Sequence, residues 1–84
     1  MDNYTQIHLT RQTLVQDLKH LVDEYVRKTA TEDDVKQMLT IWKKNCPKLI
    51  FKSEDSLELA PRVITLIGAK RSVVAQTIAN TLDK

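Results

Sequence analysis

Pro61-Arg62-Val63-Ile64-Thr65-Leu66-Ile67-Gly68-Ala69-Lys70-Arg71-Ser72-Val73-Val74-Ala75-Gln76-Thr77-Ile78-Ala79-Asn80-Thr81-Leu82 is the stretch on which the reading of this chain turns. Apolar residues at helical spacing run up to Ile67, Gly68 interrupts them, and a second apolar series resumes at Val74, Ile78 and Leu82. Gly68 is the only glycine in the chain. The pattern is helix, turn, helix, with Gly68 in the left-handed position that ends a helix. Lys70 and Arg71 then fall at the start of the second helix, against the positive end of its macrodipole, a placement that costs a few tenths of a kcal/mol unless an anion is near.

Outward from this stretch, composition sets the limits. Eighty-four residues make one domain, of a size that buries about two-thirds of its unfolded surface. Chains this small often gain stability by associating, so a homodimer or larger assembly is expected. The hydrophobic share of 42% and charged share of 29% are those of a folded soluble protein and argue against disorder. One glycine and two prolines leave little material for the turns of a β-sheet protein, so the expected class is all-α.

The single cysteine, Cys46, excludes an internal disulfide and, without nearby ligands, a zinc site. A lone thiol, a polar N-terminus and no long apolar run point to a cytoplasmic protein that does not enter membranes. The net charge of +2 is unevenly placed: residues 1–45 carry seven basic and seven acidic groups, and residues 46–84 carry six and four. That is well short of the basic footprint of a monomeric nucleic-acid binder. A dimer would double it.

The first helix is read over 10–28, with Leu14, Leu18, Leu21, Val22 and Tyr25 on one stripe and Thr10 or Thr13 as its cap. Residues 1–8 form a polar arm from which Tyr4 and Ile7 could fold back onto the core. Thr31-Glu32-Asp33-Asp34 opens a second helix over 32–45, with a capping hydroxyl and three acids in its first turn. Val35, Met38, Leu39 and Trp42 form its apolar stripe. It stops near Asn45, because Pro47 disfavours a helical conformation at Cys46. So short a link makes the first two helices an antiparallel hairpin.

Residues 46–55 are read as an extended connection, with Leu49, Ile50 and Phe51 laid as an apolar plug across the helices. As a strand, this segment would expose an edge suited to dimerisation. A third helix starts near Ser56 or Pro61, proline being suited to a first turn, and a fourth runs from about Lys70 to Leu82.

Ile67 through Ile78 also looks like the DNA-binding helix-turn-helix pattern, in which the second helix enters the major groove with its N-terminal side chains on phosphates and base edges. On that reading Lys70, Arg71 and Ser72 touch phosphate or base, and Val73, Gln76 and Thr77 face the groove. Ile64 departs from the pattern, standing where a small alanine is wanted. A second reading keeps the anion and drops the DNA: a helix N-terminus with Lys70, Arg71 and Ser72, and Arg62 nearby, can bind the phosphate of a small nucleotide. A third takes Gly68 as a plain stop between core helices, with the cations paired on the surface to Asp55, Glu58 or Asp83.

No catalytic signature is present. Ser53 and Ser56 have no histidine base beside them, and a single glycine excludes a glycine-rich phosphate loop. Asp17, His20, Asp23 and Glu24 share neighbouring helical positions, but without a second histidine or cysteine they read as a solvated face rather than a metal site. His8 stands apart in the arm.

Several pieces together resemble an uncharacterised family of short bacterial and phage proteins common in spore-forming Gram-positive bacteria. These are Leu21-Val22-Asp23-Glu24-Tyr25, Thr31-Glu32-Asp33-Asp34, Asn45 to Lys52, and Ile64 to Arg71, where family members carry Leu-Gly-Lys-Lys-Arg at the place of Ile67-Gly68-Ala69-Lys70-Arg71. The resemblance implies a small helical protein and carries no activity with it.

The expectation is thus an all-α bundle of three to four helices, acting without catalysis or cofactor as a regulatory protein. Its partner bears phosphate, DNA first and a small nucleotide second, and is held by Lys70, Arg71, Ser72, Arg62 and Gln76. The competing class is an antagonist or adaptor, of the kind phages and mobile elements encode, that covers a host protein with an apolar surface of Trp42, Leu49, Ile50 and Phe51.

Overall fold

Thr10 opens the first helix, α1 (Arg11–Val26), accepting a hydrogen bond from the Thr13 amide at 3.4 Å. The computed structural model describes residues 10–82. The expected arm over 1–8, with Tyr4, Ile7 and His8, lies outside the described residues, as does Asp83. After α1 the chain continues as α2 (Glu32–Asn45), α3 (Pro47–Ile50), α4 (Pro61–Ile67) and α5 (Ala69–Ala79). The described residues form an all-α bundle of four principal helices plus the single turn α3, with no strand among them.

The turn between α1 and α2 is built by backbone bonds. Thr29 donates its amide to the Glu24 carbonyl at 2.8 Å and Lys28 to that of Tyr25 at 3.1 Å, the two-bond closure that ends many helices on a left-handed residue. Here that residue is Lys28, at φ 66°, where glycine is the usual choice. Across the turn Thr31 and Asp34 cap α2 reciprocally: the Asp34 amide donates to Thr31 Oγ1 at 3.1 Å and the Thr31 amide to Asp34 Oδ2 at 2.9 Å. α2 ends at Asn45, where Pro47 requires it.

Residues 46–55 differ from expectation. Instead of an extended plug, Pro47 to Ile50 coil into α3, because proline is pre-set for a first helical turn. The carbonyls at its end need donors, and Arg11 supplies them from the start of α1: Nε donates to the Leu49 oxygen at 3.1 Å and Nη2 to that of Lys48 at 3.2 Å. Phe51 then pairs with Leu59 in one antiparallel bridge, and the loop between them is tied by Lys52 to Glu58 at 2.8 Å. The third long helix begins at Pro61, not Ser56, so residues 56–60 belong to this looped connection.

α1 and α2 contribute Leu14, Leu18, Leu21, Leu39 and Trp42 to the core, each fully buried. Ile50, Phe51, Leu59, Val63, Ile67 and Ala75 close over them. Each fully buried large side chain contributes about 1.5–3 kcal/mol. The assignment of Trp42, Ile50 and Phe51 to a partner surface is therefore corrected: all three have no exposed surface, and Leu49 packs partly buried beside them. Trp42 and Phe51 are the largest fully buried side chains among the described residues.

Candidate functional site at the α4–α5 elbow

Gly68 alone joins α4 to α5. Its φ of 90° and ψ of 163° lie outside the left-handed helical region that the sequence pattern implies, in a region open essentially to glycine only. One residue makes the whole connection, and a helix-turn-helix link of three or four residues is absent. Ser72 locks the elbow: its hydroxyl lies 2.6 Å from the Gly68 carbonyl and 3.3 Å from that of Ile64, and the side chain is buried. It does not reach outward to a phosphate.

Arg71 is also committed inward. Its Nε and Nη2 donate to Asp23 Oδ1 and Oδ2 on α1 at 2.8 and 3.0 Å, and Nη1 donates to the Ile67 carbonyl at the end of α4 at 3.2 Å. One guanidinium thereby joins three helices. Its hydrogen bonds hold the Asp23 carboxyl below the ordinary carboxylate value, against a smaller opposing effect of partial burial, with Arg27 and His20 adding weaker attraction. Arg71 is correspondingly shifted upward, chiefly by its bonds to Asp23. Of the surface partners expected for it, neither Asp55 nor Glu58 is the one used, and Asp83 lies outside the described residues. The partner is on α1, 48 residues away.

Gln76, expected at base edges, is turned onto the loop before α4. Its Oε1 accepts from the Leu59 amide at 2.9 Å, and its Nε2 donates to the Leu57 carbonyl at 2.8 Å and to Asn80 Oδ1 at 2.9 Å. The amide side chain thus serves the backbone as a neighbouring strand would. Of the five expected phosphate ligands only Lys70 and Arg62 remain exposed. They stand on separate helices, and Arg62 lines neither groove beside α5.

Apolar surface is exposed on both sides of α5 instead. Among the described residues the exposed large hydrophobics are Val26, Ile64, Leu66 and Val73, with Val26 62% and Val73 67% exposed. Sequence periodicity gives no sign of this, because each sits on a helix whose other face is buried. Two grooves flank α5. The larger, about 620 Å³, lies between the end of α1 and the elbow and is lined by Val22, Val26, Ile67 and Val74 with Lys70 at its edge. The smaller, about 310 Å³, includes Leu59, Ile64, Val73 and Thr77.

Other candidates resolve simply. His20 lies 3.9 Å from Glu24, Asp23 is taken by Arg71, and no cluster of metal-ligating side chains occurs among the described residues. Cys46 is a buried free thiol. No helix among the described residues is long and apolar enough to cross a membrane. Comparison with models of known protein families, with curated proteins and with solved structures finds no match for this chain.

Proposed function

We propose that this chain is a non-catalytic protein-interaction module that docks a partner protein on the apolar surface around the α4–α5 elbow. The observation that carries this reading is exposed apolar surface in both grooves beside α5, Val26 in the larger and Ile64 and Val73 in the smaller, where Arg71, Ser72 and Gln76 are satisfied internally. Single exposed apolar residues are ordinary, whereas apolar residues exposed in grooves rimmed by polar groups mark an interaction site. The role fits the antagonist or adaptor class, including the phage and mobile-element kind, with its surface moved from Trp42 and Phe51 to the elbow.

The phosphate reading retains one specific support. The first amides of α5 have no side-chain cap, and exposed Lys70 stands among them. Salt separates the two readings. Binding of a duplex through phosphates weakens steeply as salt rises, whereas an apolar interface changes little. Capture from nuclease-treated host lysate is expected to survive an increase from about 0.1 to 0.5 M salt and to be lost on Val26→Ser with Val73→Ser. Nucleic acid retained instead from a parallel untreated lysate, with steep salt loss and indifference to Val73, overturns the docking reading.

A further inference from the structure

The larger groove beside α5 carries its own electrostatic signature. Its walls are Val22 and Val26 from α1 and Ile67 and Val74 from the elbow and α5. Charge enters from Asp23, Arg71 and Lys70, and just outside the lining Arg27 follows Val26 and is close enough to help lower the Asp23 carboxyl. Among the described residues Asp23 is the only carboxylate lining the groove, and the forked Arg71 guanidinium neutralises it. Lys70 and Arg27 are exposed and pair with no carboxylate among the described residues. The apolar walls therefore carry one cation without an ion-pair partner among the described residues, Lys70, and Arg27 follows Val26 beside them.

We infer that the occupant of this groove is an acidic, apolar segment of a partner protein, placing an aliphatic or aromatic side chain between Val26 and Val74 and carboxylates against Lys70 and Arg27. The inference rests on the docking function proposed above and adds the partner's chemistry. About 620 Å³ is within the range of pockets that bury a compact group, and carboxylates at a rim steer encounter and set specificity. A second copy of this chain is a poor occupant. Two-fold pairing through this groove joins the same patch of both copies, which among the described residues offers Lys70 and Arg27 only the already neutralised Asp23.

The test uses the intact chain as bait for a displayed library of random peptides and reads both the composition and the affinity of those selected. The expected result is enrichment of peptides in which Asp or Glu flanks a large apolar residue. Their affinity falls about tenfold or more on Val26→Ser and again on Lys70→Glu, while Lys44→Glu, the same charge change on the exposed end of α2, leaves it unchanged. Val26, Lys70 and Lys44 are exposed, so the variants fold, and circular dichroism verifies it. Peptides that need Val26 but are neutral or basic and ignore Lys70→Glu overturn the acidic partner and leave the docking function standing. Absence of enrichment, or binders indifferent to Val26→Ser, overturns both. A wild-type dimer that Val26→Ser converts to monomer makes a second copy the occupant and overturns the inference.

Discussion

Asp23 on α1 and Arg71 on α5 meet in a two-pronged ion pair, Nε to Oδ1 at 2.8 Å and Nη2 to Oδ2 at 3.0 Å, and this pair decides how the elbow is read. The Asp23 carboxyl is held below its ordinary value, chiefly by hydrogen bonds from Arg71. A depressed folded-state value means that the pair's stabilisation is complete above the ordinary carboxylate range and is lost as pH falls through the depressed one. Urea midpoints of wild type and Asp23→Asn should therefore differ at pH 7 and converge at strongly acid pH. A gap that persists unchanged to low pH contradicts this role for the pair.

Gly68 should tolerate no side chain, although space is open around it. A Cβ built there meets nothing within 4 Å, so any cost of Gly68→Ala is conformational. The position at φ 90°, ψ 163° predicts a loss of about 1–3 kcal/mol by denaturant unfolding with an unchanged slope. A loss of only a few tenths shows that the elbow relaxes into another conformation.

Gln76→Glu separates geometry from simple occupancy. The glutamate keeps an acceptor for the Leu59 amide but turns an ionised oxygen toward the Leu57 carbonyl and Asn80 Oδ1. Facing other acceptors raises the folded-state value of the new carboxyl, so the penalty, about 1–3 kcal/mol at pH 7, fades as pH falls from that raised value to the ordinary glutamate value of about 4.3, where the proton has restored a donor. Stability of Gln76→Glu measured against pH should rise toward wild type on the acid side. A pH-independent deficit places the loss elsewhere.

Lys28 offers the opposite sign. A non-glycine residue at φ 66° carries backbone strain of about 1–2 kcal/mol, part of which glycine returns as flexibility of the unfolded chain. Lys28→Gly should stabilise the protein by about 0.5–1 kcal/mol in thermal or denaturant unfolding. Destabilisation instead gives the lysine side chain a contact worth more than the strain.

Much of the helical content was legible in the residues. Thr31 and Asp34 announce the start of α2, Pro47 its end and Gly68 the elbow, because caps and breakers act within a few residues of themselves. The third-helix start hung between Ser56 and Pro61, and α3 was missed, because four residues give no period and the carbonyls of Lys48 and Leu49 depend on Arg11, 37 and 38 positions away. The site was less legible for the same reason. Arg71 reads as a free cation until Asp23 is beside it, Gln76 as a base reader until the Leu57–Leu59 edge is beside it, and Trp42 as surface until the core closes. Tertiary partners, invisible to local pattern, reassign each one.

The most direct measurement is site-specific photo-crosslinking in the cells that make the protein, with a photoreactive side chain in turn at Val26, Val73 and, on the exposed face of α2, Thr40. The docking account predicts a discrete protein adduct from Val26 and Val73 and none from Thr40. Nucleic-acid adducts at Val73, or indistinguishable labelling from all three positions, would contradict it.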